Sequence, residues 1–85
     1  MKPVVLLGHQ HRCPIHGPGH VTTGATDAWI NGKPIARVGD SISCGAVIQT
    51  GSADTLIEGK AVARLGDTTS HGGTLIEGDD DWRLD

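Results

Sequence analysis

A 27-residue internal repeat constrains the fold of this chain more than any other feature of its sequence. The segment Thr23–Gly45 aligns without gaps on the segment Thr50–Gly72, and 12 of the 23 aligned positions are identical. A third, degenerate frame precedes them, because Leu7-Gly8 resembles Val38-Gly39 and Leu65-Gly66. A repeat of this length indicates one supersecondary unit that is copied and packed against its neighbours.

The first frame is longer than the other two. The interval from Gly8 to Gly24 is 16 residues, whereas the equivalent intervals Gly39–Gly51 and Gly66–Gly78 are 12 residues each. The four extra residues of the first frame fall in a stretch that is rich in His and Cys. An insertion at that place indicates that the first frame contributes additional side chains of these types.

Each frame predicts short strands that are joined by tight turns. Asn31-Gly32 is a strong signal for a two-residue hairpin, Glu58-Gly59 is a weaker one, and no window sustains a helical period. The predicted strands are Asp27–Ile30, Pro34–Val38, Ala46–Gln49, Asp54–Ile57, Ala61–Leu65 and Thr74–Glu77. We therefore expect one all-β domain of short hairpins over residues 1–85, with three repeats about a pseudo-threefold axis. An ordinary small sandwich with a duplicated hairpin is the alternative.

A domain of this size and composition needs a staple. The 85 residues include 13 Gly and 4 Pro but no Phe or Tyr, so the core consists of small aliphatic side chains and is marginal by itself. The two cysteines could form one disulfide, Cys13–Cys44. Five His and the lack of a secretory signal favour a metal instead.

The charge and the hydropathy exclude several classes of partner. The net charge of −3 and the lack of a basic stripe argue against nucleic-acid binding. No apolar run approaches the roughly 20 residues of a membrane span, and no signal peptide is visible. No phosphate-binding glycine loop or catalytic triad spacing is present, so we do not expect an enzyme.

One position of the repeat carries the metal chemistry. The second frame has Cys44 five residues after Gly39, and the third frame has His71 at the same position. Cys and His share the property of binding zinc, which takes four N or S ligands in a tetrahedron. The longer first frame supplies the rest, and we predict His16 and His20, with Cys13 as the rival of either. A closed set of four protein ligands predicts a structural zinc rather than a catalytic one.

The remaining polar residues have structural interpretations. We expect Asp40 and Asp67 to hydrogen-bond their own turns, and Arg37 and Arg64 to pair with a repeated Asp or to lie over the sheet.

Four further features lie outside the predicted metal set. His9 and His11 are predicted to be solvated, and Asp79–Asp81 is predicted to be a solvated chain end. Trp82 either packs back on the domain or marks a contact with a partner.

Three motifs carry a resemblance to a known family. They are NGKPIARVGDSISCGA at residues 31–46, EGKAVARLGDTTSHGG at residues 58–73 and CPIHGPGH at residues 13–20. Together they resemble the PAAR-repeat family over nearly the whole chain, although the Pro-Ala-Ala-Arg motif itself is degraded to PIAR and AVAR.

The resemblance implies a spike-tip protein of a type VI secretion system. Members of that family form a cone that caps a VgrG-type trimeric spike, and some also carry effectors. The cone's apex holds a zinc through three His and one Cys, which correspond to His16, His20, Cys44 and His71, with Cys13 as the departure from the pattern. The resemblance further implies a location in the bacterial cytoplasm before firing and outside the cell or in a target cell afterwards.

Three alternatives remain open at the level of sequence. A zinc hydrolase needs an open coordination site and a general base. A zinc-dependent interaction module unrelated to secretion would fold in the same way but would not bind a spike trimer. Tips of contractile phage tails and related injection machines are not separated from type VI tips by the sequence.

Overall fold

The computed structural model describes residues 2–14 and 17–84. This part of the chain contains nine short strands and no helix. The strands are β1 (Lys2–Val4), β2 (Gln10–Cys13), β3 (Gly17–His20), β4 (Trp29–Ile30), β5 (Lys33–Pro34), β6 (Leu56–Ile57), β7 (Lys60–Ala61), β8 (Thr74–Leu75) and β9 (Asp79–Leu84). All of their pairings are antiparallel. The all-β fold class predicted from the sequence is confirmed.

Strands β4 and β5 form a hairpin, and β6 and β7 form its repeat-equivalent. Each turn has two successive residues with positive φ, Asn31 at 52° with Gly32 at 79°, and Glu58 at 55° with Gly59 at 80°. Two positive φ values define the turn that matches the twist of a two-residue hairpin, as the sequence predicted. The strands are shorter than predicted because each frame continues as single bridges to different neighbours rather than as long ladders.

The third hairpin is assembled from the two ends of the chain. Strand β1 pairs with β9, so that Lys2 lies opposite Leu84 in the way that Lys33 lies opposite Ile30. Asp80 and Asp81 are exposed, as predicted, but Asp79–Asp81 is more than a solvated chain end, because these residues begin β9. Pairing of the two ends closes the ring of three hairpins without a connecting turn.

Three buried backbone segments meet around the pseudo-threefold axis. The amide of Val5 donates to the carbonyl of Ala63 at 3.1 Å, Ala63 donates to Ala36 at 2.9 Å, and Ala36 donates back to Val5 at 2.9 Å. All three residues are fully buried. This closed cycle of hydrogen bonds satisfies buried backbone groups that would otherwise be costly, and it joins all three frames at one level of the axis.

The hydrophobic core consists of two clusters of buried side chains. The first cluster contains Val5, Val21, Ala36, Ile42, Ala46, Ile48, Ala63 and Leu75, and Cys44 packs against it. The second contains Val4, Leu6, Ile35, Val62 and Leu84, with hairpin residues such as Ile30 and Ile57 against it. Trp82 also packs against the second cluster, so the interpretation that it folds back on the domain is confirmed.

An Arg–Asp ion pair fixes the turn after the central segment of two frames. The pair is buried in the second frame and partly buried in the third. Asp40 accepts hydrogen bonds from the Arg37 amide at 2.7 Å and from Arg37 Nε at 3.1 Å. Asp67 does the same for Arg64, at 2.6 and 3.1 Å. The predicted roles of these four residues are confirmed.

No helix in residues 2–14 and 17–84 is long and apolar enough to cross a membrane.

Candidate metal centre

The same tight turn precedes the candidate ligand position in every frame. Gly8, Gly39 and Gly66 have φ values of 90°, 95° and 92°, a region that is costly for residues with a Cβ. In the second frame the Gly45 amide donates a hydrogen bond to the Ile42 carbonyl, and in the third frame the Gly72 amide donates to the Thr69 carbonyl. These two bonds close the turns that contain Cys44 and His71. Because these turns have the same backbone geometry, the side chains at the candidate ligand position point in the same direction relative to their own frames.

Cys13, Cys44 and His71 meet at one point. The Sγ atom of Cys44 lies 3.8 Å from His71 Nδ1, and the Sγ atom of Cys13 lies 4.0 Å from the same nitrogen. The three candidate donor atoms are all within 4.8 Å of one another. Cys13 is buried at 2% exposure, and the other two side chains are partly buried.

These distances fit one tetrahedral metal ion. Zinc binds Cys sulfur at about 2.3 Å and His nitrogen at about 2.0–2.1 Å, so a tetrahedral angle separates sulfur from nitrogen by about 3.6 Å. The observed separations of 3.8 and 4.0 Å are within a few tenths of an ångström of that value. Two thiols and an imidazole are soft and borderline donors, which favour zinc over magnesium or calcium.

The first-frame residue in this group is Cys13. It lies five residues after Gly8, just as Cys44 follows Gly39 and His71 follows Gly66. This spacing was available in the sequence and would have identified Cys13 as the third repeat-equivalent position. The four extra residues of the first frame therefore follow this position and do not shift it.

The two histidines predicted from the first frame are placed differently. His20 is exposed at the end of β3, where its amide donates to Ser43 Oγ and its carbonyl accepts from the Ser43 amide, and it is not part of the Cys13 group. His16 lies outside the described residues. The structure thus brings together two of the predicted ligands, Cys44 and His71, and adds Cys13 to them.

The sequence of the chain matches one protein-family model. The family model described as the PAAR motif matches residues 1–50 and again residues 16–77, so the two overlapping matches span all three frames. The chain belongs to the PAAR-motif family. No curated protein matches the chain in sequence.

The PAAR-motif family is a structural family of spike-tip proteins of the type VI secretion system, and its members associate with spike proteins. It is not an enzymatic family. The candidate metal centre of Cys13, Cys44 and His71 agrees with a structural metal in such a protein.

A buried histidine of this PAAR-motif domain lies two residues before Cys13 on the same strand. His11 shares the inward face of β2 with Cys13, has no exposed surface, and its Nε2 lies 2.8 Å from Thr69 Oγ1. Burial lowers the pKa of His11, and the nearby His71 lowers it further. The prediction that His11 is solvated is wrong, because the alternation of β2 turns it inward together with Cys13.

His9 is also buried, at 7% exposure, so its predicted solvation is wrong as well. It occupies the turn position of Asp40, and its Nδ1 accepts the Leu6 amide at 3.0 Å as the Asp40 carboxylate accepts the Arg37 amide. Burial lowers the pKa of His9, although Glu77 acts in the opposite direction. The first frame thus has Leu6 and the His9 imidazole where each of the other frames has an Arg–Asp pair.

Proposed function

We propose that this PAAR-motif protein is a metal-stapled cap for a trimeric spike of the VgrG type. One observation carries the proposal: the equivalent position of all three frames supplies a donor atom to a single point. A metal bonded to this position in all three frames would cross-link them beside the first hydrophobic cluster, against which Cys44 packs.

The metal in this proposal is one structural zinc. Cys13, Cys44 and His71 supply three donors, and His16 supplies the fourth from the inserted segment, so that Cys13 takes the place that the sequence alone assigned to His20. Four protein donors leave no open position for water, which distinguishes the site from that of a zinc hydrolase. When bound, the zinc supplies cross-linking of the three frames and no reaction chemistry.

The spike in this proposal contacts the hairpin end of the domain. Trp29 and Leu56 occupy equivalent positions in β4 and β6 and are 58% and 64% exposed, although both are large apolar side chains. The third equivalent position, in β9, is Arg83. Three similar hairpins can each meet one chain of a threefold partner, and exposed apolar side chains at two of them favour burial in such an interface.

The hairpins and the candidate ligands belong to different parts of the core. Ile30 and Ile57 pack against the second hydrophobic cluster, whereas Cys44 packs against the first. A cap with its metal away from the spike leaves the opposite face free for the interface. Attachment of effectors and delivery from the bacterial cytoplasm to the outside of the cell or into a target cell are further parts of this proposal.

The test is binding to a purified VgrG-type spike trimer, measured by light scattering after size-exclusion chromatography. We expect one chain per trimer and weaker binding for the Trp29→Ala and Leu56→Ala variants. Val47→Ala and Ile76→Ala are matched controls, because these side chains are also apolar and are 40% and 45% exposed but lie outside the hairpins. Three chains per trimer, or equal effects of all four variants, would contradict the proposed interface.

A further inference from the structure

Two of the three candidate donor atoms at the metal centre are cysteine sulfurs. The PAAR resemblance implies a set with a single Cys, and such a set cannot form a disulfide within the site. Here Cys13 and Cys44 occupy equivalent positions in two frames, and their Sγ atoms lie within 4.8 Å of each other. They are not joined to one another as a disulfide in this structure. A pair of thiols at this distance adds redox chemistry to a site that otherwise has only a mechanical role.

The two thiols differ in their access to solvent. Cys13 is 2% exposed at the end of β2, whereas Cys44 lies in a turn and is partly exposed. A small oxidant therefore reaches Cys44 first. The buried Cys13 then lies close enough to attack the oxidised sulfur before bulk solvent delivers a second oxidant.

We propose that the metal centre is a redox switch in which hydrogen peroxide converts Cys13 and Cys44 into a disulfide and so releases the metal. The Cys44 thiolate attacks one oxygen of the peroxide, the O–O bond breaks, and a sulfenic acid and hydroxide form. The Cys13 thiolate then attacks the Cys44 sulfur, the S–S bond forms and a second hydroxide leaves. Two sulfurs are oxidised by one electron each, and one peroxide is reduced by two electrons.

The consequence for the site follows from the donor count. A disulfide requires the sulfurs to approach to about 2.05 Å, at which neither remains a thiolate donor. His71 is then the only one of the three converged donors that still binds a metal. The proposed cap loses its staple under oxidising conditions and keeps it where thiols stay reduced. This inference rests on the proposed metal site, but it adds a condition under which that site is dismantled.

The experiment uses the purified full chain, reduced and loaded with zinc. Hydrogen peroxide is added in stoichiometric steps, released zinc is followed with a chromogenic chelator, and the intact mass is recorded. We expect loss of one zinc per chain in parallel with loss of two hydrogen atoms from the protein mass. Addition of dithiothreitol and zinc should restore both quantities and the original melting temperature.

The matched control is Cys13→His, which keeps a metal donor at a position where the third frame already has His71. This variant should retain zinc in the absence of peroxide. It should accumulate a sulfenic acid at Cys44 that dimedone traps, without the mass loss of a disulfide. Should Cys13→His not fold, a Cys44→His variant serves the same purpose, with Cys13 as the remaining thiol.

Three results would overturn the redox switch. They are zinc retention in the disulfide form, oxidation to sulfinic acid without a disulfide, and zinc release from the wild type that does not run in parallel with disulfide formation. Failure of the metal site itself has a separate signature. In that case the reduced wild-type protein binds no zinc before any peroxide is added.

Discussion

The Sγ atom of Cys44 lies 3.8 Å from the Nδ1 atom of His71, a residue that follows Cys44 by one repeat of 27 residues. The separation is close to the value that a shared tetrahedral zinc imposes on a sulfur and a nitrogen ligand. A soft donor atom at the same position of both turns is expected if the two side chains bind the same metal ion. The relationship ties the repeat in the sequence to the metal chemistry of the fold.

Removal of any converged donor should therefore abolish zinc binding and destabilise the fold. We expect Cys13→Ser, Cys44→Ser and His71→Ala each to lose the metal and to lower the melting temperature by at least about 15 °C, because structural zinc contributes folding energy directly. Inductively coupled plasma mass spectrometry and thermal unfolding monitored by circular dichroism measure both effects. Chelation of the wild type should reproduce the result.

The same measurements decide the fourth donor. His16→Ala should lose zinc, whereas His20→Ala should retain it, since His20 is exposed outside the converged group. Loss of zinc from both variants, together with retention of zinc by Cys13→Ser, would restore the set of three His and one Cys that the sequence predicted.

The buried Arg37–Asp40 pair should be more important for stability than any surface ion pair of the chain. Asp40 is 4% exposed and accepts the Arg37 amide, the Arg37 guanidinium and the Thr23 hydroxyl. Asp40→Ala removes the acceptor for all of them and should cost about 3 kcal/mol in the free energy of unfolding, measured with urea.

Asp80→Ala is the control for that variant. Asp80 also pairs with an arginine three residues away, Arg83, but the two side chains are 72% and 53% exposed. An exposed pair contributes little, so we expect no measurable change in the urea midpoint. Equal costs for the two substitutions would show that burial of the Arg37–Asp40 pair does not set its contribution.

The repeat made most of the second and third frames predictable from the sequence. Asn31-Gly32 and Glu58-Gly59 correctly predicted the two hairpins because positive φ at both turn positions strongly limits the residue types. Convergence of Cys44 and His71 followed from their equivalent positions. These features depend on local turns and on symmetry, both of which leave a direct trace in a linear alignment.

The first frame was harder to predict because it is divided between the ends of the chain. Strand β9 has no sequence neighbour that marks it as the partner of β1, and only the shared Lys-Pro of Lys2-Pro3 and Lys33-Pro34 hints at the equivalence. The burial of His11 was missed because its inward direction depends on the register of β2, which a histidine-rich stretch does not reveal.

Gly73 lies so close to His11 that a larger residue at position 73 should destabilise the fold. A Cβ at Gly73 would collide with the His11 imidazole and with the Arg12 carbonyl oxygen. Gly73→Ala should therefore cost about 1–3 kcal/mol by overpacking. The equivalent pair in the second and third frames is Ala46 and Thr69. In that pair Ala46 is larger than Gly73, and Thr69 is smaller than His11.

A double-mutant cycle tests that match. His11→Thr combined with Gly73→Ala recreates the Ala and Thr combination, and we expect the double variant to be more stable than the sum of the single effects predicts. The rescue should be partial, because the Arg12 carbonyl remains. Each variant is measured at saturating zinc, and strictly additive free energies of unfolding would argue against direct contact as the cause.

The imidazole of His9 should make the first frame acid-sensitive. Its Nδ1 accepts the Leu6 amide at 3.0 Å, and a protonated imidazole has no acceptor. Burial lowers the pKa of His9 in the folded state, while the charges near it are Glu77 and Asp79, which raise the pKa, and Lys33, which lowers it. The unfolded chain therefore binds the proton more readily than the folded one does.

The sign of the pH dependence follows from that difference. The stabilising contribution is complete above the unfolded pKa of about 6.5 and is lost as the pH falls toward and through the lower folded value. His9→Asn keeps a neutral acceptor for the Leu6 amide but does not titrate in this range. The stability of wild type relative to His9→Asn should thus decline between pH 7 and pH 5, by roughly 1–3 kcal/mol once the acceptor is fully lost. Both proteins carry the same metal ligands, so acid release of zinc cancels in the difference, and parallel stability curves would show that His9 keeps its ordinary pKa.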